Sequence, residues 1–182
     1  MIRKVEMDRF TVISAKPFDE VVAAIKTSIG NPNMAEFWKS MQEAKSAAEL
    51  DGAIQRVLGR KGLMLFVEFD HGMILRKGTE LHTSKITRLV IGNPLIMKER
   101  AKHVPDAGSY APVTVLVDER PDGVHPSYDR MASLLGTYGN SDALTGRAIE
   151  QEDTVVFSVL ENIRPIIETA RLSNKQPMLT LA

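Results

Sequence analysis

The chain has 182 residues, no cysteine, and 23 basic residues that balance 23 acidic ones. This length suits one domain, and the absence of cysteine excludes disulfides, thiolate metal sites and a cysteine nucleophile. Zero net charge gives no indication of steering toward nucleic acid or an anionic membrane, and no stretch is long enough to span a bilayer. No signal peptide is predicted, so a reducing cytoplasm is the expected compartment.

The first third of the chain predicts one strand followed by helices. Residues 8–15 alternate apolar and polar side chains, as in a strand buried more on one face. Pro17 suits the first position of a helix whose apolar residues recur at helical spacing until Gly30. Asn33 is the predicted cap of a second helix, and SAAE at 46–49 has the spacing of a capping box that begins a third.

Beyond these helices the pattern changes to strands. LMLFVEF at 63–69 is an almost continuous apolar run, which predicts a central strand, and KITRLVI at 85–91 predicts another. Asn93 follows this second strand in a position to cap a short helix that has Pro94 at its first position.

A hairpin is predicted next, because two extended segments, 111–119 and 123–128, flank an Asp-Gly turn. Pro126 places the second of them at a sheet edge. A short helix at 129–135, capped by Asp129, is expected to follow.

A wide apolar stripe predicts a long C-terminal helix from about 152 to 172, kinked at Pro165 because proline removes an amide donor. Strands and helices are separated along the chain, which favours an α+β architecture over alternating βαβ units. We therefore predict one α+β domain over 1–182, with a mostly antiparallel sheet and helices packed on one face.

Five short sequences resemble a known family in their identity and order. They are FDHG, RLVIGNP, YAPVTVLVDE, DGV and SYDRMASLL, and together they make residues 62–135 similar to the family catalogued as domain of unknown function 302. The resemblance implies a compact α+β domain of the kind compared with TATA-binding-protein-like folds, often a homodimer, with no established reaction. Likeness to a DNA-binding fold is not evidence of DNA binding, so no nucleic-acid partner is predicted.

Residues 31–60 depart from that family's pattern, in which the first helix runs almost directly into the strand ending in Asp-His. They look like an inserted helical segment. Such a segment could cover a pocket or supply a surface for a partner.

Asp70 and His71 are the first candidate site residues, because they end a buried strand. An imidazole at a strand end can act as a general acid or base near neutral pH. Alternatively, His71 is a structural side chain bonded to a turn carbonyl, and Asp70 organises that turn.

Asn93 and Tyr128 are the other candidates. Asn93 precedes a helix N-terminus, where free amides could hold a carboxylate or phosphate, although capping alone would explain it. Tyr128 could donate a hydrogen bond into a pocket or be a packed ring with its hydroxyl satisfied.

The remaining signals for chemistry are weak. The four histidines, at 71, 82, 103 and 125, lack the short spacing that presents two metal ligands from one helix, so no metal site is predicted. No nucleophile elbow or dinucleotide fingerprint occurs, and no cofactor is indicated. Whether the protein is an enzyme stays open.

Two hypotheses for function follow. In the first, His71, Asn93 and Tyr128 converge on a small-molecule pocket at strand ends, covered by residues 31–60. In the second, the chain is a homo-oligomeric interaction module whose long C-terminal helix packs partly against a second copy.

Overall fold

The computed structural model describes residues 2, 4–78, 85–135 and 143–163, and for 143–150 the backbone alone. Its strands are β1 (Arg9–Thr11), β2 (Met64–Asp70), β3 (Ile86–Gly92), β4 (Val113–Arg120) and β5 (Gly123–Asp129). Its helices are α1 (Phe18–Ser28), α2 (Met34–Glu43), α3 (Ala47–Gln55), α4 (His71–Gly78), α5 (Pro94–Ala101), α6 (Met131–Leu135) and α7 (Ala143–Glu161), with a 3₁₀ turn at Pro105–Tyr110.

The strands form one antiparallel sheet in the order β1-β5-β4-β3-β2. Alternate residues of β4 (Val113, Val115 and Val117) are buried together with side chains of α1, α6 and α7. The predicted α+β class with an antiparallel sheet is confirmed, and α1, α6 and α7 pack over one face, whereas α2 and α3 pack against β2 on the other face. None of the described helices is both long enough and apolar enough to cross a membrane.

β2 lies at the edge of the sheet, so the prediction of a central strand at 63–69 is wrong. The first half of the strand is nonetheless covered on both faces. Leu63 and Leu65 belong to the main core, whereas Met64 and Phe66 pack with α2 and α3 in a second hydrophobic cluster. Because the main core packs on one face of this half and α2 and α3 pack on the other, its residues form a continuous apolar run, as those of a central strand would.

β5 lies between β4 and β1, so Pro126 does not mark an edge strand as predicted. The carbonyl of Pro126 accepts a hydrogen bond from Val12 N at 3.0 Å, on the side of β1. The missing proline donor therefore faces the short strand β1, and the pairing between β4 and β5 continues past it through Val117.

The predicted ends of the last two helices also need correction. α7 begins at Ala143, before the predicted start at 152, and the predicted stretch beyond 163, with its kink at Pro165, lies outside the described residues. α6 begins at Met131 and is not capped by Asp129, whose carboxylate instead accepts two hydrogen bonds from Arg9 at 2.6 and 2.9 Å.

Residues 31–60 form α2 and α3, which we call the helical cover. Both predicted caps are confirmed, because Asn33 accepts hydrogen bonds from the amides of Ala35 and Glu36, and Ser46 accepts one from that of Glu49. The two ends of the cover meet where the amides of Gly30 and Gly59 both donate to the carbonyl of Leu63, at 2.8 and 2.9 Å.

Candidate functional site

Asp70 ends β2 and acts on the helix that follows it. Its carboxylate accepts hydrogen bonds from Met73 N at 2.8 Å and from the Arg76 guanidinium at 2.9 Å. The amide of Met73, with help from Arg76, lowers the pKa of the Asp70 carboxyl. His71 is half-buried at the first position of α4, with its ring stacked 6.0 Å from that of Phe69. The contacts of Asp70 are those of a helix cap.

Asn93 caps α5, as predicted. Its side-chain oxygen accepts from Leu95 N at 2.9 Å, and its amide group donates to the carbonyl of Gly62 at 2.9 Å. The side chain therefore also ties the start of α5 to the turn before β2.

Tyr128 is buried in the main core rather than in a pocket. Its hydroxyl donates to Asp153 Oδ1 of α7 at 2.6 Å, and burial together with that carboxylate raises the pKa of the phenol. The same carboxylate accepts from the amides of Met131 and Ala132 at 3.0 and 3.1 Å. Asp153, not Asp129, therefore caps α6 from a neighbouring helix.

The structure does not bring His71, Asn93 and Tyr128 together, and antiparallel pairing explains why. Met64 pairs with Gly92 and Asp70 pairs with Thr87, so the C-terminal ends of β2 and β3 lie at opposite ends of the sheet. Six residues of strand separate them by about 20 Å. His71 and Asn93, which follow the C-terminal ends of β2 and β3, therefore do not line a common concavity in the described structure, because neighbouring antiparallel strands run in opposite directions.

Two of the hollows among the described residues lie at the ends of β2 and β3 and are candidates for a site. The first, which we call the groove, has a volume of about 950 Å³ and runs between α1 and the end of the sheet that carries Asp70. Ion pairs cross or line it, including Lys26 with Glu68 at 2.6 Å and Lys85 with Asp19 at 2.9 Å. These ion pairs are exposed to water, which screens the attraction between their charges, so they contribute little to stability.

The second hollow, which we call the covered cavity, lies at the other end of β2 and β3, beneath the helical cover. Its volume is about 210 Å³, and its walls come from α2, β2, α5, α7 and the segment before β4. The lining residues are Trp38, Met41, Phe66, Asn93, Pro94, Met97, Ala111, Pro112 and Glu152.

Glu152 is the one charged residue among these described lining residues, and it is 2% exposed. Its carboxylate forms an ion pair with Arg100 of α5, which is 1% exposed. Burial raises the pKa of the Glu152 carboxyl, and the guanidinium of Arg100 opposes that rise. A charge pair withdrawn from water beside an apolar hollow is an arrangement often found at binding sites.

Glu152, Asp153 and Arg100 were not among the residues predicted from sequence. A signal for two of them exists, because Glu152 and Asp153 lie four and three residues before the buried Val156 of the same helix. Acidic residues on the apolar stripe of a helix must find partners when that stripe is buried. Their partners, Arg100 and Tyr128, are distant in sequence.

Metal binding finds no support from side-chain clustering in the parts of the chain that the structure describes. No group of three or more His, Asp or Glu side chains there could hold an ion. His125 pairs with Asp122 at 2.9 Å, and His82 lies outside the described residues.

The fold defines a mixed α+β domain built on a five-stranded antiparallel sheet. Residues 39–163 match the family described as domain of unknown function DUF302, and the chain belongs to that family. The match begins within α2 and so includes much of the helical cover, beyond the range 62–135 on which the resemblance rested.

A solved structure supports the same fold. The crystal structure of an uncharacterized conserved DUF302 protein from Bacillus stearothermophilus superimposes with a TM-score of 0.60 at 13% sequence identity. The alignment covers 86% of this chain and 98% of that one, and at this identity it shows the fold alone. No curated protein matches the sequence.

Proposed function

We propose that the protein binds a small, predominantly apolar molecule in the covered cavity. The observation that carries the proposal is an apolar hollow of about 210 Å³ whose wall includes Glu152, the acidic member of a buried charge pair. A dry cavity of about 150 Å³ lined by apolar side chains is large enough to hold benzene. The volume therefore suits a ligand of one ring or of similar size.

The helical cover supports this proposal because it supplies one wall of the cavity. Trp38 and Met41 of α2 line it together with Phe66 of β2, and Trp38 is 48% exposed. Asn93 also belongs to the wall, although both ends of its amide are engaged within the protein. A bound molecule would remove apolar surface of Trp38 and Phe66 from water, which favours binding.

The experiment uses Trp38, which is the single tryptophan of the chain. Toluene, a neutral apolar probe, is titrated while tryptophan fluorescence and the melting temperature are recorded. We expect a saturable fluorescence change and a rise in melting temperature, because a ligand selective for the folded state stabilises it.

A blocked variant and a matched control locate the site. Met97→Glu introduces a carboxylate into the cavity wall, whereas Met73→Glu makes the same change at an exposed position of α4, outside it. The response should persist in Met73→Glu and disappear in folded Met97→Glu. No saturable response in the unmodified protein, or an equal one in Met97→Glu, would refute the proposal.

A second candidate function is self-association, for which the face of the sheet opposite the main core offers a surface; we call the part of it that carries Val67 and Phe69 the open sheet face. Val67 and Phe69 of the edge strand β2 are 39% and 43% exposed, more than is usual for large apolar side chains. The stripe on α7, by contrast, is buried in the chain's own core at Val156 and Leu160, so it does not support this candidate.

Sedimentation equilibrium tests this candidate. If two copies meet through the open sheet face, Phe69→Glu should yield monomers, whereas Ile74→Glu, at an exposed position on α4, should leave the association unchanged. A monomeric unmodified protein at high concentration would exclude it.

A further inference from the structure

We propose that the covered cavity selects a neutral, single-ring aromatic molecule that carries one hydrogen-bond donor, the chemistry of a phenol. This inference rests on the proposed function, because it concerns the ligand of the same cavity. Its basis is the kind of contact that each wall can offer.

The apolar walls favour a flat ring. The rings of Trp38 and Phe66 lie 6.5 Å apart between centroids and are inclined by 47°. An inclined pair presents both a ring face and a ring edge, and aromatic molecules prefer offset or edge-to-face contact with such surfaces. Met41 and Met97 add thioethers, whose sulfur atoms make favourable contacts with aromatic ring edges.

The charged group of the polar wall is a hydrogen-bond acceptor. Asn93 uses one of its two amide N–H groups on the carbonyl of Gly62, and its oxygen accepts from the amide of Leu95. Glu152 uses Oε2 on Arg100, and a carboxylate has about four lone-pair sites in all, so it retains capacity to accept. The ligand should therefore bring a donor such as a hydroxyl group.

The charge balance of the cavity favours a neutral ligand. Glu152 and Arg100 are both at most 2% exposed, and together they have no net charge. An added ammonium or carboxylate would be removed from water without a counter-charge of its own, which is strongly unfavourable. Charged aromatic molecules of the same size should be rejected.

Four single-ring probes of similar size separate the contributions of the ring, the hydrogen bond and the charge on the unmodified protein, so no variant has to fold. They are toluene, p-cresol, benzylammonium and benzoate, measured by calorimetric titration and by the shift in melting temperature. We expect p-cresol to bind at least about tenfold more tightly than toluene, since it adds one hydrogen bond to a charged group. Benzylammonium and benzoate should bind more weakly than either.

The outcomes distinguish this inference from the proposed function. If none of the four probes binds, both fail. If toluene binds as tightly as p-cresol, the cavity is a ligand site but Glu152 does not select the ligand, and this inference is overturned. Tightest binding of benzylammonium or of benzoate would overturn the neutrality argument while leaving the site in place.

Discussion

Gly30 and Gly59 lie in direct backbone contact at the point where the helical cover leaves the domain and rejoins it. A Cβ atom placed on Gly59 would lie 2.3 Å from the amide nitrogen of Gly30 and 2.2 Å from the carbonyl carbon of Ile29. No side chain fits there, because backbone atoms on this short path cannot yield. The contact brings both ends of the cover to β2, where the amide of Leu65 also donates to the carbonyl of Gly30 at 2.7 Å.

Gly59→Ala should therefore destabilise the protein by more than about 2 kcal/mol, because the methyl group must push the two chain segments apart. Gly108→Ala is the matched control, since no atom lies within 4 Å of a Cβ placed there. Urea denaturation gives both free energies of unfolding. Equal stability of the two variants would show that the contact can open at little cost.

Asp153 should be the residue that maintains the start of α6. Asp153→Ala leaves the Tyr128 hydroxyl and the amides of Met131 and Ala132 without their common acceptor, so we expect a loss of about 2–4 kcal/mol. Asp129→Ala removes only a half-exposed pair with Arg9 and should cost at most about 1 kcal/mol. The opposite order in thermal or chemical unfolding would restore Asp129 as the cap.

Tyr128 should make the stability of the protein decrease at alkaline pH. Burial and Asp153 raise the pKa of the Tyr128 phenol, so the folded state favours the neutral form. This contribution to stability is fully present below the ordinary tyrosine pKa near 10 and is lost as pH rises above it, when the phenol ionises in the unfolded chain alone.

Tyr128→Phe isolates that contribution. Near neutral pH the variant should be less stable by about 1–2 kcal/mol, because it lacks the hydrogen bond to Asp153. Above pH ~10 the difference in the free energy of unfolding between the two proteins should narrow. A difference that stays constant across this range would show that the Tyr128 hydroxyl is not coupled to folding in this way.

Removing one member of the Arg100–Glu152 pair should destabilise the protein, whereas replacing both members should cost much less. Arg100→Met leaves a buried carboxylate without its cation, and we expect a loss of roughly 3–5 kcal/mol. Adding Glu152→Met to that variant should recover much of the loss, because two apolar side chains replace two desolvated charges. If the double variant is no more stable than the single one, the carboxylate was not the source of the destabilisation.

Features that depend on neighbouring residues could be predicted from the sequence. The caps at Asn33, Ser46 and Asn93 each use an amide no more than three residues away, so turn chemistry determines them locally. The α+β class, the separate strands and the hairpin at residues 120–123 followed from the same kind of pattern. Predicting these features required no knowledge of which helices and strands pack against each other.

The residues of the candidate site could not be predicted from the sequence, because their partners are distant in the chain. Asp153 caps a helix that begins 22 residues earlier, and Glu152 pairs with an arginine 52 residues away. The prediction that His71 and Asn93 converge failed because neighbouring antiparallel strands end at opposite ends of a sheet. The apolar run at 63–69 likewise indicated that this strand is buried, but it did not indicate whether neighbouring strands or helices bury it.

The sequence by itself determined the caps at Asn33, Ser46 and Asn93, the hairpin, the class of the fold and the family, because caps, turns and hydrophobic periodicity are set by residues close together in the chain. Only the tertiary structure decided that β2 is an edge strand, that Tyr128 is a core residue and that an apolar cavity lies beneath α2. Those outcomes arise from contacts between segments far apart in the chain, where burial removes charges from water and so selects their partners.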